Sequence, residues 1–189
     1  ILLDEGTSFT TVGGSQPGQG NVIAAAGDPA IRIHSSDNTI QGNLIGLDAT
    51  GTTAIPNDYE GIYLDLGASR NLIGGTTPGA GNTIANSGTI GVAVVGAAAA
   101  NTISGNSMFD NPIGIDLGYD GVTANDVGDS DSGPNDLLNF PDLAVAYTGS
   151  GVAAVEGIYG GLAGGAFTLE FFASDLCDGL GHVDGERFV

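Results

Sequence analysis

The sequence predicts an all-β fold: a right-handed, single-stranded parallel β-helix, a three-sided solenoid of about four coils, followed by a short, truncated β-sandwich-like segment. Three observations predict it. Short apolar segments recur in three sets, in a fixed order, over the first two thirds of the chain. Corresponding positions lie 22 and 24 residues apart, which fits one coil. Apolar residues never keep a helical spacing, and glycine is too frequent for helices.

Each set of repeated segments is suited to one face of the solenoid. Each segment holds one to three apolar residues, and in the set that begins at residues 30–33 they fall at alternate positions, as the two-residue period of a strand requires. The three sets are residues 21–23, 43–45, 82–84 and 106–108; residues 30–33, 61–64, 91–94 and 114–117; and residues 11–14, 38–42, 71–75 and 101–105.

One interval between repeats is longer than a coil. Asn43 and Asn82 are 39 residues apart, and insertions at residues 47–57 and 76–81 account for the excess. We expect residues 47–57 to protrude as a loop or hairpin hinged at Pro56, because the coil closes without them. The second insertion carries Pro-Gly, as does the corner at residues 15–20, and this dipeptide favours a tight turn.

Stacking the coils at about 4.8 Å should align like residues along the axis. One buried ladder is expected from Ile23, Ile45, Ile84 and Met108, with the three isoleucines nearly fully buried. A second is expected from Ile40, Ile73 and Ile103. Asparagine at the corners tolerates a left-handed backbone and can hydrogen-bond to its copy in the next coil.

Composition excludes several kinds of partner. The 189-residue chain has 34 glycines, no lysine and a net charge of −19, which argues against binding to nucleic acid or anionic membranes. No apolar run approaches about 18 residues, so we expect no membrane insertion. The single cysteine, Cys177, is expected to be a buried, inert thiol. We also expect the chain to be a piece of a longer protein.

The pattern divides the chain into three parts. Residues 1–118 are the predicted β-helix, and residues 119–142 are a polar, acidic connector. Residues 143–189 return to an extended pattern as a partial β domain, with strands expected at residues 152–159 and 167–173. About 45 residues make a poor independent sandwich, so this part should pack on the end of the solenoid or begin a truncated domain.

Two stretches carry a family resemblance. Residues 71–84, which include Gly-Gly-Thr-Thr-Pro-Gly-Ala-Gly-Asn, and residues 43–52, which include Asp-Ala-Thr-Gly-Thr, resemble repeats of very large secreted bacterial proteins with right-handed parallel β-helix regions. The resemblance implies an extracellular or cell-surface location. Such regions serve as adhesins, stalks and polysaccharide-binding or polysaccharide-cleaving modules, so the resemblance implies no particular catalytic residue.

A catalytic site would need acids and bases within hydrogen-bond reach. Arg32, Tyr63, Ala93 and Asp116 occupy one position of successive strands and should form an exterior column. Arg32 and Asp116 would lie three coils apart, about 14 Å, too far for concerted chemistry. We interpret these charges, together with His34 and His182, as non-catalytic.

The connector contains the strongest candidate site. Asp126, Asp129, Asp131 and Asn135 offer hard oxygen ligands within ten residues, among glycines that let the backbone curl. Calcium prefers six to eight such oxygens, although the spacing is not that of an EF-hand. The alternatives are a Ca²⁺ site and a solvated acidic linker.

These observations favour a non-catalytic module that acts as an adhesive stalk or scaffold and presents loops to a glycan or a surface protein. One alternative is a polysaccharide-active lyase or hydrolase, for which the warrant is fold analogy. Another is a fibre subunit that self-associates by stacking its coil ends, because bare ends expose unpaired strand edges. A polar cap on a coil end would favour the module over the fibre.

Overall fold

The computed structural model describes residues 1–149, 152–174 and 184–189. Over those residues the secondary structure is β apart from one 3₁₀ turn, Pro134–Leu137. Thirteen short strands precede residue 118. They are β1 (Leu2–Leu3), β2 (Thr11–Gly13), β3 (Val22–Ile23), β4 (Ile31–Ile33), β5 (Thr39–Gln41), β6 (Leu44–Ile45), β7 (Ile62–Leu64), β8 (Leu72–Gly74), β9 (Thr83–Ala85), β10 (Ile90–Val94), β11 (Thr102–Ser104), β12 (Ser107–Phe109) and β13 (Ile113–Leu117).

The thirteen strands form three parallel sheets, because each strand pairs with the strand three places before it. The sheet orders are β1-β4-β7-β10-β13, β2-β5-β8-β11 and β3-β6-β9-β12. Every pair runs parallel, which confirms the predicted stacked architecture of a parallel β-solenoid. The strands are only two to five residues long, because glycine and asparagine turn the chain at every corner.

The apolar ladders form in the predicted register. Ile45 pairs with Ile23 on one side and Ile84 on the other, and Met108 pairs with Ile84. The second ladder, Ile40, Ile73 and Ile103, is likewise in register. The predicted burial of Ile23 is wrong: it is half-buried, because β3 is an edge strand with a neighbour on one side only.

The corners are held by three ladders of polar side chains, which we name by their first asparagine. The Asn38 ladder is Asn38, Asn71, Asn101 and Asn135; the Asn21 ladder is Asn21, Asn43, Asn82 and Asn106; the Asn57 ladder is Asn57, Ser87, Asn111 and Asp184. In the Asn38 and Asn21 ladders each Oδ1 accepts the backbone N–H and the side-chain N–H of the preceding asparagine.

The predicted hydrogen bond between asparagine copies is therefore confirmed, but the left-handed backbone falls one residue earlier. In the Asn38 ladder positive φ angles belong to Asp37 (63°), Arg70 (55°) and Ala100 (55°), each just before its asparagine; at the terminal rung Asn135 itself is left-handed (48°). The asparagine after each of Asp37, Arg70 and Ala100 does not itself have a left-handed backbone, and its side-chain amide hydrogen-bonds within the stack. The Pro-Gly corners behave as predicted, since Gly18 and Gly79 have φ near +80°.

Beyond the solenoid, β14 (Asp142–Gly149) and β15 (Val152–Ile158) form an antiparallel hairpin, and β16 (Phe172–Ala173) pairs with β17 (Arg187–Phe188). The sequence reading missed β14. It was also wrong in extending a strand over residues 167–171, since only residues 172 and 173 pair there.

The C-terminal part closes the last coil with three polar groups. Asn135 Oδ1 accepts the backbone N–H of Asn101 at 2.9 Å. Glu170 accepts the backbone N–H of Gly105 at 2.9 Å. Asp184 accepts the backbone N–H of Asn111 at 3.0 Å. We call Asn135, Glu170 and Asp184 the polar cap, because they satisfy donors that the last coil would otherwise leave unpaired.

Candidate functional site

The predicted acidic site comes together in part. One carboxylate oxygen from each of Asp126, Asp129 and Asp131 lies within 4.8 Å of the other two, so these three side chains can hold a metal ion. The Asp131 Oδ1 atom is shielded from solvent and has no hydrogen-bond partner among the described residues. A cation would supply the interaction that this oxygen lacks.

The aspartates of this group are held in place by local hydrogen bonds. The Ser130 hydroxyl donates to Asp126 at 2.7 Å, and this bond, with the Ser130 backbone N–H, lowers the pKa of Asp126. Asn139 is buried, and its backbone N–H donates to Asp129 at 2.8 Å. The loop therefore presents an ionised carboxylate whose position is set by neighbouring donors.

The Asn135 side chain makes different contacts from those of the three aspartates. Its Oδ1 accepts from the backbone and side chain of Asn101, and its Nδ2 donates to the Asn101 carbonyl at 2.7 Å. The amide is thus used to end the Asn38 ladder. Of the predicted four-residue ligand set, the three aspartates lie together, while the Asn135 amide bonds to Asn101.

The predicted column on the first sheet has the expected register: Arg32 pairs with Tyr63, Tyr63 with Ala93, and Ala93 with Asp116. The column is not exposed along its whole length, however. Ala93 is fully buried and Asp116 is 2% exposed, because the turn after β13 folds back across this face. The Asp116 carboxylate accepts the backbone N–H of Tyr119 at 3.0 Å.

A second column was missed by the sequence reading. His34 lies between two carboxylates from neighbouring coils, with Nδ1 3.2 Å from Asp4 Oδ1 and Nε2 3.0 Å from Asp65 Oδ1. The pKa of Asp4 is lowered by a backbone hydrogen bond and by His34. The signal was available in the sequence, because the register that aligns Arg32 with Tyr63 also aligns His34 with Asp65.

The insertion at residues 47–57 forms the expected short hairpin, with an antiparallel bridge between Leu47 and Ala54. Asp48 organises its tip, since one carboxylate oxygen accepts hydrogen bonds from Thr50, Thr52 and Thr53. Asn57 is not part of the protrusion, because it is 1% exposed and forms a rung of the Asn57 ladder.

The predictions for Cys177 and His182 concern residues that lie outside the described part of the chain. In the part of the chain that is described, no helix has both the length and the hydropathy needed to span a bilayer. No protein-family model, curated protein or solved structure matches the chain.

Proposed function

We propose that this chain is a right-handed β-solenoid module of about four coils from a secreted or cell-surface bacterial protein. It acts as a non-catalytic adhesive stalk or scaffold that holds surface features away from its attachment point and presents them to a glycan or a surface protein. The proposal extends the solenoid architecture and the motif resemblance to a biological role.

The polar cap is the observation that carries this proposal. A fibre built by end-to-end stacking needs free strand edges at both ends of the solenoid. Here Asn135, Glu170 and Asp184 occupy donors at the C-terminal end, and Gly185 accepts the backbone N–H of Met108 at 2.8 Å. A capped rod suits a module that terminates a stack better than a subunit that propagates one.

Affinity electrophoresis tests the presenting role. The folded chain is run through gels containing a neutral polysaccharide, with hydroxyethylcellulose, laminarin, mannan and xylan each in a separate gel. The proposal expects retardation in at least one gel and none for the heat-unfolded chain. Migration identical to that in plain gels for all four polysaccharides contradicts glycan presentation.

Calcium is the ion that we assign to Asp126, Asp129 and Asp131, since hard oxygen ligands suit it. Binding restricted to the folded state would stabilise the protein by about 2.7 kcal/mol at one hundred times the dissociation constant. The thermal midpoint should rise with millimolar Ca²⁺ and revert with chelator, and the Asp129→Ala/Asp131→Ala double variant should respond little. An unchanged midpoint for the original chain would identify the connector as a solvated linker.

A polysaccharide-active enzyme is the second candidate, and one observation favours it. His34 contacts two carboxylates at 3.0–3.2 Å, which is the proximity that proton transfer requires. Release of reducing ends from the four polysaccharides, or of unsaturated products from polygalacturonate, would establish the enzyme if it is lost in His34→Gln. Intact polymers after prolonged incubation would leave the non-catalytic module.

A further inference from the structure

On the outer face of the first sheet Tyr63 contacts both Arg32 and Tyr119, a residue of the turn after β13, and we call these three side chains the tyrosine platform. The Arg32 guanidinium carbon lies 5.4 Å from the centre of the Tyr63 ring. Tyr119 meets Tyr63 edge to face, with ring centres 5.9 Å apart and planes at 82°. Tyr119 remains 46% exposed, so the platform faces solvent.

Two buried carboxylates set the geometry of the platform. Asp116 holds the turn that carries Tyr119, through bonds from the backbone N–H groups of Tyr119 and Gly121. Glu60, 3% exposed, accepts the Tyr119 hydroxyl at 2.5 Å and the Thr89 hydroxyl at 3.0 Å. The hydrogen bond to Glu60, followed by burial, raises the pKa of Tyr119. Burying carboxylates is costly, so this surface is held in one arrangement.

Polar atoms without partners collect beside the platform. Among the described residues, seven shielded side-chain atoms make no hydrogen bond, and three of them are Arg32 Nε, His34 Nε2 and Asp65 Oδ1. The last two are 3.0 Å apart but not aligned for a hydrogen bond. Within the described part of the chain, Arg32 also has no carboxylate at ion-pair distance. These three atoms are shielded, so a ligand would meet Arg32 and Asp65 through the exposed parts of their side chains; the Asp65 side chain is 21% exposed.

These features match a neutral saccharide. A sugar ring offers an apolar C–H face for a tyrosine ring and hydroxyl groups that both donate and accept hydrogen bonds. A polyanion fits less well, because the chain carries a net charge of −19 and Asp4, Asp65 and Glu60 flank the platform.

We propose that the tyrosine platform, with His34 and Asp65, binds a neutral oligosaccharide. One sugar ring packs on the exposed tyrosine surface, while its hydroxyls engage the part-exposed guanidinium of Arg32 and carboxylate of Asp65 through atoms other than the shielded Nε and Oδ1. This assignment rests on the proposed presenting role and places it on the sheet face, away from the hairpin at residues 47–57.

Paired arginine variants test the assignment in the same polysaccharide gels. Arg70 is the matched control for Arg32, since it lies at a corner and pairs with Asp37 at 2.7 Å. We expect Arg32→Gln and Tyr63→Leu to weaken binding about tenfold or more, as loss of an anchor does. Arg70→Gln should bind as the original chain does, and circular dichroism spectra and thermal midpoints verify that each variant is folded.

The outcomes separate the two proposals. Retarded original protein with unchanged binding by Arg32→Gln and Tyr63→Leu overturns the platform and leaves the presenting role intact. A loss of binding on deleting residues 49–55, with the platform variants unaffected, moves the site to the hairpin. Stronger retardation by polygalacturonate than by any neutral polymer overturns the neutral ligand. Retardation by none of the polymers overturns the platform and contradicts glycan presentation, which leaves a surface protein as the presenting module's partner.

Discussion

Two corners of the same solenoid differ in how completely their buried polar side chains are hydrogen-bonded. In the Asn38 ladder every rung is an amide, and Asn71 has both of its side-chain polar atoms paired within the stack. In the Asn57 ladder the second rung is Ser87. There the Asn57 Nδ2 atom and the Ser87 Oγ atom are both buried without a hydrogen-bond partner among the described residues.

The difference explains why these corners use asparagine. Each rung must accept from the coil before it and donate to a backbone carbonyl, and an amide does both through two atoms. The serine side chain is shorter than that of asparagine, so Ser87 occupies the rung without a hydrogen bond from its hydroxyl to Asn57. At Asn38, Asn71 and Asn101 asparagine is favoured for its two-sided hydrogen bonding, since the left-handed backbone there belongs to the residue before it.

The largest effect is expected from removing a central rung. Asn71→Ala takes away an acceptor for Asn38 and a donor to the Ser35 carbonyl, leaving buried groups unpaired. We expect a loss of about 2–4 kcal/mol in the free energy of unfolding, measured by urea titration. Thr102→Ala, at an exposed strand position, is the control and should change stability by less than about 0.5 kcal/mol. Equal losses would show that the amide ladder does not hold the corner.

The terminal rung should matter less. Asn135 is half-buried and its side chain bonds only to Asn101, so Asn135→Ala should cost about 1–2 kcal/mol. Its exposed neighbour provides the control variant, Asp136→Ala, because both residues have left-handed backbones (φ 48° and 59°) and only Asn135 bonds to the ladder. The same pair separates two roles for Asn135: a calcium ligand would lower the Ca²⁺ response when replaced, whereas a cap residue lowers stability equally with and without the ion.

Much of this arrangement could be predicted from the sequence, because the sequence repeats once per coil. Strand order, the register of Ile45 with Ile84 and the bonds between asparagine copies all follow from a repeat of one coil. The polar cap does not repeat: Asn135, Glu170 and Asp184 reach donors 34 to 73 residues away, through chain with no period to align. Asn135 was grouped with the aspartates because it lies within ten residues of Asp126, Asp129 and Asp131.

The repeat period could not predict the burial of Asp116 or the contact of Tyr119 with Tyr63 either. They depend on the turn after β13, which has no copy in earlier coils. The column of Asp4, His34 and Asp65 was within reach, since it needs only the predicted register continued one residue past each strand.

Replacing Ser87 by asparagine would make the Asn57 ladder resemble the other two, and we expect a smaller change in stability from it. Ser87→Asn places an amide oxygen next to Asn57 Nδ2, as in the other two ladders, and should stabilise the protein by about 1 kcal/mol. Ser87→Ala is the matched control and should be nearly neutral, because the Ser87 hydroxyl makes no hydrogen bond. A destabilised Ser87→Asn variant, with Ser87→Ala neutral, would mean that the corner lacks room for an amide.

The smallest effect on global stability is expected where a carboxylate does the work that amides do at the corners. Asp48 holds the hairpin tip, and the Thr50 hydroxyl, followed by the backbone N–H of Thr53, lowers its pKa to about 2 from an ordinary 3.8. Because the folded pKa is the lower one, the stabilisation is present above pH 4 and is lost as pH falls through about 2. Neutral amides have no such dependence. Amide NMR signals of Thr50, Thr52 and Thr53 should therefore titrate with Asp48, while those of the Asn21 ladder stay unchanged. Asp48→Asn keeps an acceptor and should abolish the titration without opening the hairpin; persistence of the titration in that variant would assign it to another carboxylate.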